Sequence, residues 1–170
     1  RDAWGYNWAR FLGLPDVLSE ALVEAGALRG RRLAVLPSTG PTLLTAAARD
    51  ELLAWVADGG TLVAFGRDSL AWTLEPPGGA SRGRREAEAA LPDTRLDSGP
   101  LTPVGSMRGL LTEHPQAVPT NCPAPVWSGF PGRPWRPLLR GRAGAVAIAE
   151  RPLGLGRVVL FAGPVPAETG

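Results

Sequence analysis

Between Leu33 and Gly66 two short apolar runs flank one amphipathic segment, and that change of pattern predicts the framework of the chain. Leu33, Ala34, Val35 and Leu36 run up to Pro37; Thr61, Leu62, Val63, Ala64 and Phe65 run up to Gly66. Neither run alternates with polar residues, the pattern of parallel strands covered on both faces. Between them Ala48, Leu52, Trp55 and Val56 recur at helical spacing, which turns one apolar stripe toward a sheet. Arg49, Asp50 and Asp58 fall on or near the other side. Thr45 is placed to cap this helix, and Gly59-Gly60 supplies the left-handed stop that helices prefer. Strand, helix and strand make a βαβ unit, whose connection is expected to be right-handed.

The flanking patterns are less regular. Trp4, Trp8, Phe11 and Leu12 lie on one helical face, and Gly13 and Pro15 end that segment. A second short helix is predicted from Ser19 to Gly26, with Glu20 and Glu24 outward and Leu22 and Val23 inward. After Phe65, the stretch Gly66 to Trp72 reads as a tight strand-to-helix turn. Residues 75–97 change composition to proline, glycine, arginine and glutamate, and read as a flexible insertion with one exposed helical piece around 85–91. Proline density over 99–137 argues for an irregular surface loop, with Met107 to Leu111 as a short strand. The chain closes on Ala143 to Ala149 and Arg157 to Ala162, strand-like runs around a turn with Pro152, Gly154 and Gly156. They predict a hairpin added as an antiparallel edge to a parallel sheet.

Length adds one constraint: 170 residues suit a single domain, 1–170, with a proper core. No apolar run approaches a membrane span. All 18 basic residues are arginine, yet the formal charge is only +2, so composition gives no push toward nucleic acid. The arginine clusters at 29–32, 82–85 and 140–142 are short, glycine-flanked and close to acids, which suits solvated loops better than a phosphate site. The chain opens on Arg1 without a signal-like start and is expected to be a piece of something longer.

Candidate chemistry is sparse. The single Cys122 excludes an internal disulfide and any cysteine-built metal site, and with the single His114 it cannot supply the usual zinc ligand set. No metal and no cofactor are therefore expected. A nucleophile elbow needs a glycine-flanked Ser or Cys after a strand. The turn in that place, Ala64 to Asp68, offers Asp68, or Ser69 one residue on, without the second glycine. Cys122 with His114 as base is a second arrangement for covalent catalysis, but it stands in a proline-rich loop. No residue is assigned a catalytic role. Open α/β sheets bind ligands at the carboxyl ends of their strands, which makes Ser38, Thr39, Gly66, Arg67 and Asp68 the candidate ligand pocket. Arg67 could hold a carboxylate there, although pairing with Asp68 is the simpler use. A carbohydrate platform would require exposed Trp127 and Trp135.

Several phrases together resemble a known group. Leu33 to Pro37 followed by Leu52 to Ala64 resembles the class I glutamine amidotransferase-like fold. Pro103 to Arg108, then Glu113-His114-Pro115, then Gly154 to Phe161 resemble the accessory domain that follows the catalytic domain in many bacterial zinc carboxypeptidases. The β-galactosidase trimerisation domain is a more distant resemblance through Trp55 to Val63. This resemblance implies an α/β, flavodoxin-like three-layer sandwich with a mostly parallel sheet and a C-terminal antiparallel hairpin. The group's catalytic cysteine would fall near Asp68 and is absent, as are its later histidine and the carboxypeptidase HxxE. What the resemblance implies is a non-catalytic accessory or interaction domain of a larger bacterial hydrolase, extracellular or periplasmic. Its partner would be an upstream hydrolase domain of the same chain, with an oligomer contact also open. The competing expectation is a divergent hydrolase or amidotransferase using Cys122 or Ser69.

Overall fold

The computed structural model describes residues 16–36, 44–66, 72–74, 83–85, 94–97, 99–104, 124–127 and 134–163. The central pattern folds as its sequence predicts. Strand β1 (Leu33–Leu36) is followed by a two-residue strand β2 (Leu44–Thr45), helix α2 (Ala46–Ala57) and strand β3 (Thr61–Phe65), with the short helix α1 (Glu20–Glu24) ahead of them. β1 and β3 pair in parallel, Leu33 opposite Thr61 through Leu36 opposite Ala64. Helix α2 begins where Thr45 accepts the Ala48 N–H through its side chain at 3.1 Å. It ends at Asp58, beyond which Gly59 takes φ 118°, a conformation that costs glycine nothing sterically. Its buried side chains are Ala48, Leu52, Trp55 and Val56, the stripe read from the sequence.

The remaining strands are β4 (Trp72–Leu74), β5 (Gly83–Arg85), β6 (Thr94–Asp97), β7 (Thr102–Pro103), β8 (Ala124–Trp127), β9 (Arg136–Arg140), β10 (Val146–Leu153) and β11 (Gly156–Phe161). The order β1-β3-β11-β10-β8-β6 forms the main path of an eight-stranded sheet, with β9 also on β10 and β7 on β9. A separate small sheet holds β2, β4 and β5. Only β1–β3, β3–β11 and β2–β4 pair in parallel; the other described pairs are antiparallel.

This overturns the expected fold class. The protein is sheet-dominated with a mixed sheet, and among the described residues it has two α-helices, so it is not a flavodoxin-like three-layer sandwich with a mostly parallel sheet. The predicted hairpin exists, Ile148 opposite Phe161 through Leu153 opposite Gly156, but it is no edge. β11 lies between β3 and β10, and β10 carries further strands on β8 and β9. Those strands come from segments expected to be irregular: β6 falls within 75–97, and β7, β8 and β9 begin within 99–137.

Proline obscured them. Pro125 sits in β8 opposite Leu96 of β6, and β8 meets β10 only through Trp127 opposite Val146. The side of Pro125 away from β6 is therefore not a full ladder, and the missing N–H can be tolerated there. Pro137 similarly lies beside a register shift where β9 pairs with β10.

The two faces of the large sheet carry separate apolar clusters. On one, Leu28, Leu52, Trp55, Val56, Leu62 and Val158 pack beneath α2. On the other, Val126, Leu138, Leu139, Ala147 and Ile148 pack with Leu101, and Val159 and Phe161 lie against them. β1 departs from the expected two-sided burial: Leu33 is 43% exposed and the rest of the strand is half-buried, because β1 is the outer strand of the sheet's main path. In β3 burial alternates, with Leu62 and Ala64 buried and Thr61 and Val63 half-buried.

Helix α1 also departs in part. Leu22, expected inward, is 48% exposed, whereas Glu20, expected outward, is half-buried. The reason is local. Glu20 accepts the Thr45 N–H at 2.6 Å, and the Thr45 hydroxyl donates to Glu24, so α1 leans on the start of α2 through its carboxylates.

Candidate functional site

The carboxyl ends of β1, β3 and β11 are where an open sheet would offer a ligand crevice. Of the five candidate pocket residues, Ser38, Thr39, Arg67 and Asp68 lie outside the described residues, as do Ser69, His114 and Cys122. Gly66 is described. It takes φ 87°, and its N–H donates to the carbonyls of Phe161 at 3.1 Å and Gly163 at 2.9 Å. The amide that follows β3 is thus spent on tying β3 to the end of β11. On the side shared with Val159, the Phe65 and Phe161 rings stack with centroids 4.4 Å apart and planes 23° from parallel, beside the same strand ends.

On the α2 side of the sheet, two tryptophans fill the region near those ends. Trp127 of β8 is 0% exposed and clusters with Ala64, Val146, Ala149, Leu160 and Ala162; Leu36 and Trp135 pack against the group. Ala64 and Ala162 lie at or just past the last turns of their strands, and Leu36 closes β1. The small residues leave room, and the indole takes it. Trp135 is half-buried and also touches the cluster beneath α2, so it bridges the two. β8 itself crosses close to the end of β11: a Cβ on Gly163 would overlap the Pro125 ring. A carbohydrate platform of exposed Trp127 and Trp135 is therefore ruled out for Trp127, which is core.

The start of α2 is occupied as well. Helix N-termini attract anions because their first N–H groups are unpaired. Here Glu20 takes the Thr45 N–H and Thr45 takes that of Ala48, so two donors at this end are satisfied by the protein's own oxygens.

A second polar locus, which sequence reading missed, joins the end of β6 to the loop between β9 and β10. Asp97 accepts the Gly99 N–H at 3.0 Å through Oδ1, while its Oδ2 is buried with no hydrogen-bond partner among the described residues. Oδ2 sits over Gly141, where a Cβ would come within 3.0 Å of it, and the Arg142 side chain lies over Gly99 in the same way. In that loop Ala143 adopts φ 51° and Gly144 φ 75°. The Asp97-x-Gly99 pair is a turn signal, but nothing in the sequence brings it beside Gly141. Among the described residues no group of three or more His, Cys, Asp or Glu side chains is placed to hold a metal ion. Among them, too, no helix is long and apolar enough to cross a membrane.

No known protein family matches the chain, and no curated protein does. Solved structures do. The cytoplasmic protein STM3548 from Salmonella typhimurium is similar at TM-score 0.56 and 9% identity, over 96% of this chain and 75% of that one. The cytoplasmic protein STM1381 from Salmonella typhimurium LT2 is similar at TM-score 0.54 and 14% identity, over 89% of this chain and 71% of that one. At these identities the likeness is one of fold. Gan42B, a GH42 beta-galactosidase from G. stearothermophilus, is similar at TM-score 0.49 and 14% identity, over 79% of this chain; the chain spans only 19% of that enzyme.

Proposed function

We propose that this domain is a non-catalytic accessory or interaction module of a larger bacterial hydrolase of the zinc carboxypeptidase kind. The observation that carries the non-catalytic part is the filled end of the parallel strands. Trp127, fully buried among Ala64, Leu160 and Ala162, occupies the α2 side of the sheet where a crevice would open. Gly66 spends its N–H on the carbonyls of Phe161 and Gly163. A nucleophile elbow works by exposing a side chain on a sharp turn and keeping nearby backbone N–H groups free to meet a developing oxyanion. Here the amide leading into the turn is committed to the sheet.

The hydrolase part rests on the three ordered phrases noted in the sequence, and the structure gives the last of them a physical role. A Cβ on Gly154 would overlap the Ala57 carbonyl oxygen, and one on Gly156 would overlap those of Val56 and Gly60. The Leu155 N–H donates to the same Ala57 carbonyl at 2.8 Å, and the Arg157 N–H to Gly60 at 3.1 Å. The Gly-Leu-Gly-Arg phrase is what lets the β10–β11 turn close on the end of α2. It supports a scaffold role for these residues, with the chemistry carried by a domain upstream in the same chain. The test is to read the gene ahead of Arg1. A hydrolase domain bearing an HxxE and a distant histidine is expected there; a reading frame without any hydrolase domain overturns the accessory reading.

A further inference from the structure

We draw no further inference here: the strongest candidate, the half-exposed apolar patch of Leu33, Val35 and Val63 on the β1 end of the large sheet opposite α2, carries nothing because nothing in the structure shows what covers it.

Discussion

Replacing Trp127 with alanine tests whether the strand ends are filled by core or by a side chain kept for ligands. Trp127 is the largest of the fully buried side chains among the described residues, and it clusters with Ala64, Ala149, Ala162, Val146 and Leu160. An indole buries roughly 150–250 Å² on folding. At about 25 cal/mol per Å² its removal forfeits on the order of 4–6 kcal/mol, close to the ~3–5 kcal/mol usual for Trp→Ala in cores. The alanines around it have no side-chain length with which to collapse into the void, so the upper part of that range is expected. Against a total stability of roughly 5–15 kcal/mol, such a loss removes between about a third and all of it. Urea unfolding followed by far-UV circular dichroism reads it directly. With a slope of roughly 1–3 kcal/mol per molar, the midpoint should fall by about 2 M. Trp127→Phe, which keeps most of the apolar fill, should lose only about 1–2 kcal/mol. A Trp127→Ala protein that unfolds within about 1 kcal/mol of the parent, at unchanged slope, would refute the assignment of this residue to the core.

Two further substitutions probe the backbone. Gly156→Ala sets a methyl group against the carbonyl oxygens of Val56 and Gly60, neither of which can move without shifting the end of α2. A loss of about 2–3 kcal/mol or more in the same urea assay is expected, and a neutral result would contradict the close approach. Ala143→Gly has the opposite sign. Ala143 is held at φ 51°, where a Cβ is strained, so glycine should stabilise the fold by about 0.5–1 kcal/mol, seen as a rise in thermal midpoint.

How much of this could be read beforehand depends on where the determinants lie along the chain. Helix α2 was legible because its cap, its buried stripe and its glycine stop are all local, within Thr45 to Gly60. The β10–β11 hairpin was legible for the same reason: its turn glycines and its apolar runs are contiguous. What failed was the sheet beyond it. β8 is four residues, Ala-Pro-Val-Trp, and is a strand because Thr94 to Asp97 and Val146, both distant along the chain, pair with it. A proline in so short a run reads as loop until one knows which of its sides lacks a full ladder. The fold class followed that error, since one parallel βαβ unit looks like part of a flavodoxin-type sheet only while the antiparallel strands go unseen.

Of the candidate pocket only Gly66 lies among the described residues; what the sequence left open beside it was burial. Trp127 stands in a proline- and glycine-rich stretch that leaves its exposure undecided. Its burial comes from Ala64, Leu160 and Ala162, and no pattern within 124–127 encodes those neighbours. Likewise Glu20, placed by periodicity on the outer face of α1, is half-buried because it accepts the Thr45 N–H at the start of a helix more than twenty residues further on.

Turnover by the isolated domain tests the central claim most directly. Peptide, ester and glutamine-amide substrates would be offered to the parent protein and to the Cys122→Ala/Ser69→Ala double variant under the same conditions. The non-catalytic reading predicts that both proceed at the rate of buffer alone. Release of product above that rate by the parent, abolished in a double variant that still folds, would contradict it.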